Sequence, residues 1–453
     1  MGTLLADLAY LFLFAVWSPW LLYKMATTGK YRAGLRERLG GVRRRRGERF
    51  CLWVHGVSVG EVASARTLIE AFSRRFPDWE VVVSTTTATG QQTARRLYPG
   101  RLVFYYPLDL SVAVRRTLAR IRPDLLCLAE HDLWPNLLRL AEARATPVVL
   151  VNGVFSERTY ALQKRFLPLL RGTHRRLRAA AMQTRQYADR LLALGVPAEK
   201  VSVTGNMKYD TIDTSPLPPP AGLMAELTLE PDDLVLVAGS THPGEEEALL
   251  TAYARLRERF SQLRLIIAPR HPERFDEVAA LIRGRGFAIR RRSRKPEPGG
   301  GERVSAERAH TDRAPVILVD TLGELTTIYR FAHVVFVGGT LVPIGGHNVM
   351  EPAGLAKMPI VGPHTFRTTE AVELLLAREA LRRVADGEEL TRVLAEFLAE
   401  PERLREAGER ARQVVLENQG ATGRNLELLA ALVAERERAP GRVPAERARA
   451  AGQ

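Results

Sequence analysis

Short apolar runs alternate with longer amphipathic stretches from Cys51 onward. Several of these runs are continuous in β-branched and aliphatic residues, which is typical of parallel strands that are covered on both faces. The stretches between them, such as Glu61–Arg74 and Glu157–Leu170, have helical periodicity and fit right-handed crossovers between the strands. Seven strands are predicted before residue 213: Cys51–His55, Glu80–Thr85, Leu102–Tyr106, Asp124–Ala129, Pro147–Asn152, Ala179–Gln183 and Val201–Thr204.

A proline-rich segment at 213–222 interrupts this pattern and predicts an interdomain linker. The pattern then restarts, with five further predicted strands: Leu234–Ala238, Leu263–Ala268, Val316–Val319, Val334–Val337 and Pro359–Val361. We therefore expect two doubly wound α/β domains, over 25–212 and 223–420, with a cleft between them. In such sheets, ligands bind beyond the carboxyl ends of the strands.

Two charged segments are expected to lie outside these domains. Arg290–Ala314 contains many charges and a glycine run, which favours a solvated surface loop. Residues 421–453 are expected to hold the end of a C-terminal helix and then a disordered tail. That tail is expected from Glu435 onward, where Arg, Ala, Pro and Glu dominate the sequence.

The N-terminal residues 8–23 form a continuous apolar run that is followed by basic residues up to Arg46. No basic region precedes the run and no small-residue cleavage site closes it, so it does not resemble a cleaved signal peptide. Pro19 interrupts the run, which is shorter than a full span of about 20 residues. We predict that residues 1–24 are a membrane anchor that either spans the bilayer or lies in its interface, with the following charges on the cytoplasmic side. A buried N-terminal core helix is the alternative.

The composition narrows the class of protein. The 453 residues are 46% hydrophobic and 26% charged, which excludes disordered, collagen-like and disulfide-scaffold chains. Cys51 and Cys127 lie in strand-like runs without metal-ligand spacing and are predicted to be buried thiols. The net charge of +15 indicates an anionic partner. Neither Arg290–Ala314 nor the tail from Glu435 has aromatic residues between its basic residues, so we expect that nucleic acid is not a partner. An anionic membrane surface or a phosphorylated substrate remains as the expected partner.

Polar residues follow three predicted strands of the first domain. Glu61 stands at the start of a helix, where its carboxylate either takes a proton from a substrate hydroxyl or only interacts with the helix dipole. Glu130 and Asp132 follow the fourth strand, and such a pair could hold a divalent metal, but no further ligand cluster stands nearby. Lys208 follows the seventh strand and either binds a phosphate or carboxylate across the cleft or is simply solvated.

The second domain has a more specific pattern for binding an anion. Residues 239–245 place small hydroxyl side chains between a strand and a helix, and Arg270 follows the next strand with a guanidinium that suits phosphate. Four glycines within 338–346 are expected to leave backbone N–H groups free to cradle a phosphate. Asn348 is expected near the start of the next helix, and Glu351, one turn in, could bind a ribose diol. No GxxxxGK[ST] occurs and no GxGxxG opens the first strand–helix turn, so we expect a nucleotide bound in another way.

Eight segments, in this order, resemble the 3-deoxy-D-manno-octulosonic acid (Kdo) transferases, glycosyltransferase family 30: HGVSVGEV (His55–Val62), EHDLWPN (Glu130–Asn136), GNMKYD (Gly205–Asp210), GSTHPGEEE (Gly239–Glu247), PRHPERF (Pro269–Phe275), DTLGEL (Asp320–Leu325), GGHNVMEPAG (Gly345–Gly354) and GPHTF (Gly362–Phe366). The resemblance extends to about residue 420. It implies the GT-B fold, in which two Rossmann-like domains face a central cleft, with an N-terminal membrane helix. It also implies inverting transfer of Kdo from CMP-Kdo to the lipid A precursor, lipid IVA, without a metal or other cofactor, at the cytoplasmic side of the inner membrane.

The resemblance also assigns roles to individual residues. Glu61 matches the family's catalytic base, while Glu130 and Lys208 match residues that stabilise the transition state. We expect Lys208 to face the departing phosphate or the Kdo carboxylate, and Glu130 to face the positive charge that develops on the sugar ring. The segments that bind CMP in the family match Pro269, Arg270, Leu322, Gly323, Glu324, Asn348, Val349, Met350 and Glu351.

Two segments depart from the family's pattern. The usual ETELWPN is EHDLWPN here, so no role follows for His131, and the usual Phe-Asn-Phe after GPH is Phe366-Arg367-Thr368, so no donor contact is implied there. Two enzyme alternatives remain: a GT-B transferase with another nucleotide sugar, and a sugar-nucleotide epimerase of the same fold. A non-catalytic membrane scaffold is a third, against which the intact Glu61, Glu130 and Lys208 argue.

Overall fold

The chain forms two compact units in the computed structural model, one holding residues up to Thr211 together with those from Asn418 onward, and the other holding Ile212–Glu417. The described residues are 33–131, 133–165, 172–293 and 314–438, together with Asp7, Tyr10, Trp17, Tyr23 and Thr27.

The described residues of the first unit form a seven-stranded sheet in the order β3-β2-β1-β4-β5-β6-β7. Every neighbouring pair is parallel. All seven runs predicted from the sequence are strands, with bounds that differ by at most one residue at each end. The strands are β1 Phe50–His55, β2 Trp79–Thr85, β3 Val103–Tyr105, β4 Leu125–Ala129, β5 Val148–Gly153, β6 Ala179–Met182 and β7 Val201–Val203.

Helices connect these strands and cover both faces of the sheet. Alternate residues of β1 belong to different apolar clusters: Cys51 and Trp53 pack in one, and Leu52 and Val54 in the other. This double burial explains the continuous apolar runs. The helices are α1 Leu35–Arg38, α2 Val59–Arg75, α3 Ala88–Leu97, α4 Ser111–Ile121, α5 Pro135–Glu142, α6 Glu157–Arg165 and α7 Arg185–Ala193, with short 3₁₀ turns at Ala198–Lys200 and Tyr209–Thr211.

The predicted buried thiols are confirmed. Cys51 in β1 and Cys127 in β4 are not joined in a disulfide, and both are fully buried. Burial raises the pKa of the Cys127 thiol to about 12, which keeps it protonated and unreactive at neutral pH.

The second unit repeats the architecture of the first. Its described residues form a parallel sheet in the order β10-β11-β9-β8-β12-β13-β14. The strands are β8 Leu234–Thr241, β9 Leu263–Pro269, β10 Ile289–Arg291, β11 Val316–Leu318, β12 Val334–Val337, β13 Met358–Val361 and β14 Arg382–Arg383. The helices are α8 Ala221–Glu226, α9 Glu245–Leu256, α10 Phe275–Gly284, α11 Leu325–Tyr329, α12 Met350–Gly354, α13 Thr369–Leu376, α14 Gly387–Ala399 and α15 Pro401–Asn418, with a 3₁₀ turn at Pro272–Arg274.

The edge strand β10 corrects the prediction of a solvated loop that begins at Arg290. Arg290 and Arg291 lie in the strand, paired with β11. The Arg291 guanidinium contacts Asp320 at 2.7 Å and Asp276 at 2.5 Å, so its charge is paired along the sheet edge. The prediction was wrong here because paired charges on an edge strand have the same sequence pattern as a solvated loop. Residues 294–313 of the predicted loop lie outside the described residues.

The proline-rich segment 213–222 lies within the second unit, whereas the sequence placed the start of that domain at 223. Arg330 donates to the carbonyl oxygen of Leu217 at 2.6 Å, and Arg412 donates to that of Thr214 at 3.1 Å. These bonds hold the first half of the segment on the second unit. Apolar patterning does not reveal such contacts, which join arginine side chains to main-chain carbonyls.

The helix α16, Ala421–Arg438, returns to the first unit and packs on α2. The Asp210 carboxylate accepts the N–H of Gly420 at 2.6 Å, just before the helix begins. The predicted tail from Glu435 is helical as far as Arg438, and Glu435 is paired with Arg178 at 2.7 Å. That part of the disorder prediction was therefore wrong, and residues 439–453 lie outside the described residues.

Most of the predicted membrane anchor, 1–24, also lies outside the described residues. Asp7 accepts the N–H of Ser111 at 2.8 Å, and the Tyr10 hydroxyl donates to Asp109 at 3.0 Å. Within the part of the chain that the structure describes, no helix has both the length and the hydropathy of a membrane span.

A buried carboxylate orders the glycine-rich loop that follows β12. Glu245, the first residue of α9, is fully buried. Its Oε2 accepts the N–H groups of His242 at 2.9 Å and Gly339 at 2.7 Å. Its Oε1 accepts those of Thr340 at 2.9 Å and Leu341 at 3.0 Å. Burial raises the pKa of this carboxyl, and the four N–H donors act in the opposite direction.

We expect Glu245→Gln to lower the free energy of unfolding by about 2–4 kcal/mol. The amide NH₂ group would face N–H donors where a carboxylate oxygen now accepts them, and hydrogen bonds to charged groups contribute about 1.5–3 kcal/mol each. Chemical denaturation measures the change. The matched control is Glu388→Gln, whose side chain is 73% exposed and pairs with Arg255, and which should cost less than about 1 kcal/mol. Equal losses for the two variants would contradict the role given to Glu245.

Candidate active site

Glu61 lies at the carboxyl edge of the first sheet, just after the end of β1. It is the third residue of α2, and Ser58 is the N-cap of that helix. The Glu61 carboxylate accepts the Val57 N–H on Oε2 at 2.8 Å and the Ser58 hydroxyl on Oε1 at 3.1 Å. Gly56 leaves room for it, because a Cβ there would lie 3.3 Å from the Glu61 Cβ. Glu61 thus has a capping role, and its carboxylate is held in one orientation.

The surroundings of Glu61 make it more basic than an exposed glutamate. Burial is the largest cause of its raised pKa, and the negative charge of Glu130 raises that pKa further. The bonds from Val57 and Ser58 and the nearby His131 lower the pKa but do not cancel the rise. A carboxylate with a raised pKa is better matched to accepting a proton near neutral pH.

Glu130 follows β4 in an unusual backbone conformation. Its φ is +66°, in the left-handed region, which costs a residue other than glycine about 1–2 kcal/mol. Two main-chain hydrogen bonds maintain this conformation. The Glu130 N–H donates to Val151 O and the Val154 N–H donates to Glu130 O, both at 3.0 Å. Strain of this kind at the carboxyl end of a strand supports a functional role for the side chain.

Lys208 is paired with Glu130. Its Nζ donates to the Glu130 Oε1 at 3.0 Å, with side-chain exposures of 50% for Lys208 and 13% for Glu130. The main chain at this point is fixed, because the Met207 N–H donates to the Asn152 Oδ1 at 2.9 Å and the Lys208 N–H donates to the Asn206 Oδ1 at 3.0 Å. An ion pair this exposed contributes at most about 1 kcal/mol of stability. The Lys208 ammonium therefore remains available to an anionic ligand.

One residue of the metal pair considered from the sequence, Asp132, lies outside the described residues. Among the residues that are described, no three His, Cys, Asp or Glu side chains converge on a possible metal site. His131 is exposed, and its charge lowers the pKa of Glu61.

In the second unit, Asn348, Glu351 and Arg270 lie beyond the carboxyl ends of β9 and β12. Glu351 is half-buried, and its Oε1 accepts a hydrogen bond from the Asn348 Nδ2 at 3.0 Å. Burial raises the pKa of Glu351, and the charge of Arg270 opposes this effect. Glu351 is the second residue of α12, so its predicted position one turn into the helix was wrong.

The other residues matched to the CMP-binding segments differ in exposure. Leu322 is 70% exposed, and Glu324 accepts the Thr321 hydroxyl at 2.6 Å and the Arg292 Nε at 3.2 Å. Val349 and Met350 are 0% and 1% exposed as whole residues, so both are packed inside the protein. The two remaining matches are Gly323, which has a φ of +85°, and Pro269, the last residue of β9.

The prediction that the glycines of 338–346 leave N–H groups free for a phosphate was wrong. Glu245 accepts the N–H groups of residues 339–341. The N–H groups of Gly345 and Gly346 donate to the carbonyl oxygen of Gly339 at 3.0 and 2.8 Å. A carboxylate of the protein therefore occupies the place that the sequence suggested for an anionic ligand. Glu245 is about a hundred residues away along the chain, so the loop's own sequence does not reveal it.

Sequence reasoning missed a group of histidines at this edge. The His242 and His347 rings lie within 4° of parallel, with their Nε2 atoms 2.8 Å apart. His271 stands edge-on to His242, with ring centroids 5.3 Å apart. Each of the three histidines occurs in a segment that resembles the family: GSTHPGEEE, GGHNVMEPAG or PRHPERF. Their presence in these segments was the only signal in the sequence that could have pointed to the group.

Comparison with known proteins identifies a matching family model and similar relatives. Residues 33–211 match the family model of 3-deoxy-D-manno-octulosonic-acid transferase (kdotransferase). The 3-deoxy-D-manno-octulosonic acid transferase of Haemophilus influenzae is 32% identical over 408 residues, which cover 88% of this chain and 91% of the relative.

Solved structures with low sequence identity show the fold alone. A UDP-N-acetylglucosamine 2-epimerase is 15% identical, with a TM-score of 0.55 over 88% of this chain and 99% of its own. MurG from Acinetobacter baumannii is 14% identical, with a TM-score of 0.52 over 84% of this chain and 99% of its own. The two parallel-sheet α/β units thus resemble GT-B glycosyltransferases. The relative from Haemophilus influenzae and the matching family model establish that the chain belongs to the family of 3-deoxy-D-manno-octulosonic acid transferases, which are glycosyltransferases.

Proposed function

We propose that this protein transfers Kdo from CMP-Kdo to a hydroxyl group of the lipid A precursor, lipid IVA, with inversion at the anomeric carbon and without a metal. The observation that carries the proposal is the oriented Glu61 carboxylate, electrostatically coupled to Glu130 at the carboxyl edge of the first sheet. Membership of the Kdo transferase family supports the donor and the acceptor.

Glu61 acts as the general base. Its carboxylate takes the proton of the acceptor hydroxyl while the oxygen attacks the anomeric carbon of Kdo. The bond from that carbon to the phosphate oxygen breaks, and its electron pair leaves with CMP. The reaction balances as acceptor and CMP-Kdo giving Kdo-acceptor, CMP and one proton, which Glu61 passes to water. A positioned base of this kind contributes about 10² to 10⁴ in rate.

Glu130 and Lys208 provide the charges that the transition state needs. Positive charge develops on the sugar ring as the donor bond breaks, and the Glu130 carboxylate stabilises it. Lys208 holds Glu130 in place through the 3.0 Å contact, and its exposed ammonium binds the departing phosphate or the Kdo carboxylate. The strained backbone of Glu130 is consistent with selection for the position of its carboxylate rather than for stability.

The second unit binds the nucleotide of the donor. Glu351 and Asn348 face the ribose hydroxyls as hydrogen-bonding groups, and Arg270, which is exposed, binds phosphate. A donor with a single phosphate suits a site built from side chains, since the backbone N–H groups of residues 339–341 are already bonded to Glu245.

The acceptor is a phosphorylated lipid, and the first unit has a surface that suits an anionic membrane. Four arginines, Arg36, Arg43, Arg95 and Arg120, line a groove of about 640 Å³. Leu35, which also lines the groove, and Leu39 are each 44% exposed. Basic and apolar side chains together favour contact with an anionic leaflet, so we place the enzyme at the cytoplasmic side of the inner membrane.

The epimerase alternative is not favoured, because a relative that is 32% identical over 88% of this chain is a Kdo transferase.

The direct test is mass spectrometry of lipid IVA after incubation with the purified enzyme and desalted CMP-Kdo in the presence of EDTA. We expect stepwise mass gains of one Kdo, unchanged when magnesium replaces EDTA. Product that appears only with magnesium would refute the metal-free reaction. If no product forms while the donor is shown to be intact, the donor assignment is wrong.

We expect Glu61→Gln to reduce kcat by about 10² to 10⁴, because the amide cannot accept the acceptor proton. In the wild type, kcat/KM should fall as the pH drops through the raised pKa of Glu61, since protonation removes the base. Steady-state kinetics against pH measures both effects, and the acid limb should disappear in the residual activity of the variant.

Glu130→Gln is the matched control for this pH profile. It removes a negative charge that raises the pKa of Glu61, so the acid limb should persist and move to lower pH. Equal kcat for Glu61→Gln and the wild type would exclude Glu61 as the base. An acid limb that stays in Glu61→Gln would assign it to another group.

A further inference from the structure

The short contact between His242 and His347 constrains their protons. Their Nε2 atoms are 2.8 Å apart, so one ring must donate and the other must accept. A neutral imidazole carries a single N–H, and two fully protonated rings would place hydrogen atoms against each other. The unliganded pair therefore carries one proton between its two Nε2 atoms. His242 is 6% exposed, and water compensates little of any added charge.

The surroundings of this pair carry excess positive charge. Burial and positive neighbours lower the pKa of His347 to about 4, and they lower the pKa of His242 as well. The acids nearby are largely engaged: Glu245 accepts four N–H groups, and Glu246 binds Arg274 at 2.8 Å. The charged and titratable groups around the pair are Glu245 and Glu246 in α9, Arg270, His271, Glu273 and Arg274 after β9, Glu351 in α12 and Arg367 after β13.

We propose that the His242–His347 pair, together with Arg270 and Arg367, binds the phosphate of the donor and gains a proton as that phosphate becomes the dianion of CMP. The identity of the nucleotide rests on the function proposed above. Arg270 acts electrostatically on both Glu351 and His347. A nucleotide whose ribose is bound by Glu351 therefore has its 5′-phosphate beside Arg270 and the histidines.

This arrangement suits the charge change during transfer. The phosphate of CMP-Kdo is a diester with one negative charge. When the bond to the anomeric carbon breaks and its electron pair goes to the phosphate oxygen, CMP becomes a monoester with a second negative charge. A proton from solvent on the histidine pair compensates that second charge, because a nearby anion favours the charged form of an imidazole. The pair thus stabilises the leaving group, while Glu61 handles the proton of the acceptor.

The experiment is calorimetric titration of the enzyme with CMP at about pH 7.5 in buffers of different ionisation enthalpy. CMP is already a dianion there, since the second phosphate pKa is about 6. We expect the heat to depend on the buffer and to report uptake of up to one proton per CMP bound. Cytidine, which lacks the phosphate, and free Kdo, which carries only the carboxylate, should bind without proton uptake.

Two variants and one control assign the proton. His347→Gln and His242→Gln should abolish uptake per mole of CMP bound and weaken CMP binding about ten- to hundredfold, the effect of losing a charge-assisted hydrogen bond. His364→Gln, in the neighbouring loop after β13, should behave as the wild type. Unchanged cytidine affinity in the variants shows that the nucleotide site is intact and folded.

The possible results separate the inference from the proposed function. CMP binding without proton uptake, or uptake that persists in both His242→Gln and His347→Gln, would overturn the inference and leave Kdo transfer standing. Proton uptake with free Kdo would assign the pair to the carboxylate and overturn the phosphate role. If neither CMP nor cytidine binds the wild type, the nucleotide donor itself is wrong, and both proposals fail.

Discussion

Parallel pairing of neighbouring strands is the constraint on which both candidate sites depend. Because the strands of each sheet run in one direction, their carboxyl ends meet at one edge and their loops gather there. In the first unit this brings Glu61, Glu130 and Lys208 together from segments that are up to 147 residues apart. In the second unit it brings Arg270, His242 and His347 together in the same way. Parallel sheets also require helices on both faces. The crossover helices lengthen the chain, and burial of the strands on both faces explains the continuous apolar runs.

In the second unit, a buried carboxylate and the exposed arginines have different roles. The charge of Glu245 acts inside the protein, where the carboxylate fixes the loop after β12 through three backbone N–H groups and accepts a fourth from His242 after β8. The loop then presents His347 and Asn348 from a defined backbone. In the function proposed above, side chains such as Arg270 and Arg367, whose charges are exposed, bind the donor. This arrangement differs from a phosphate-binding loop, in which backbone N–H groups contact the ligand directly.

The central strands could be predicted from the sequence to within one residue at most ends, because burial on both faces leaves an unmistakable apolar run. The edge strands β10 and β14 could not, since Arg291, Arg382 and Arg383 have the pattern of a polar loop. Family-like segments identified Glu61, Glu130 and Lys208, but not the contacts that position them. The bond from Met207 to Asn152 and three of the four bonds to Glu245 join residues that are 55 to 96 positions apart, and no local pattern records them.

The anomeric configuration of the new Kdo linkage is the most direct test of the proposed chemistry. NMR of the isolated product compares it with the configuration in CMP-Kdo. Direct attack by the acceptor hydroxyl, with Glu61 as base, predicts the opposite configuration after a single displacement. A product that keeps the donor's configuration would contradict this mechanism, because retention requires a second displacement through an enzyme-bound intermediate.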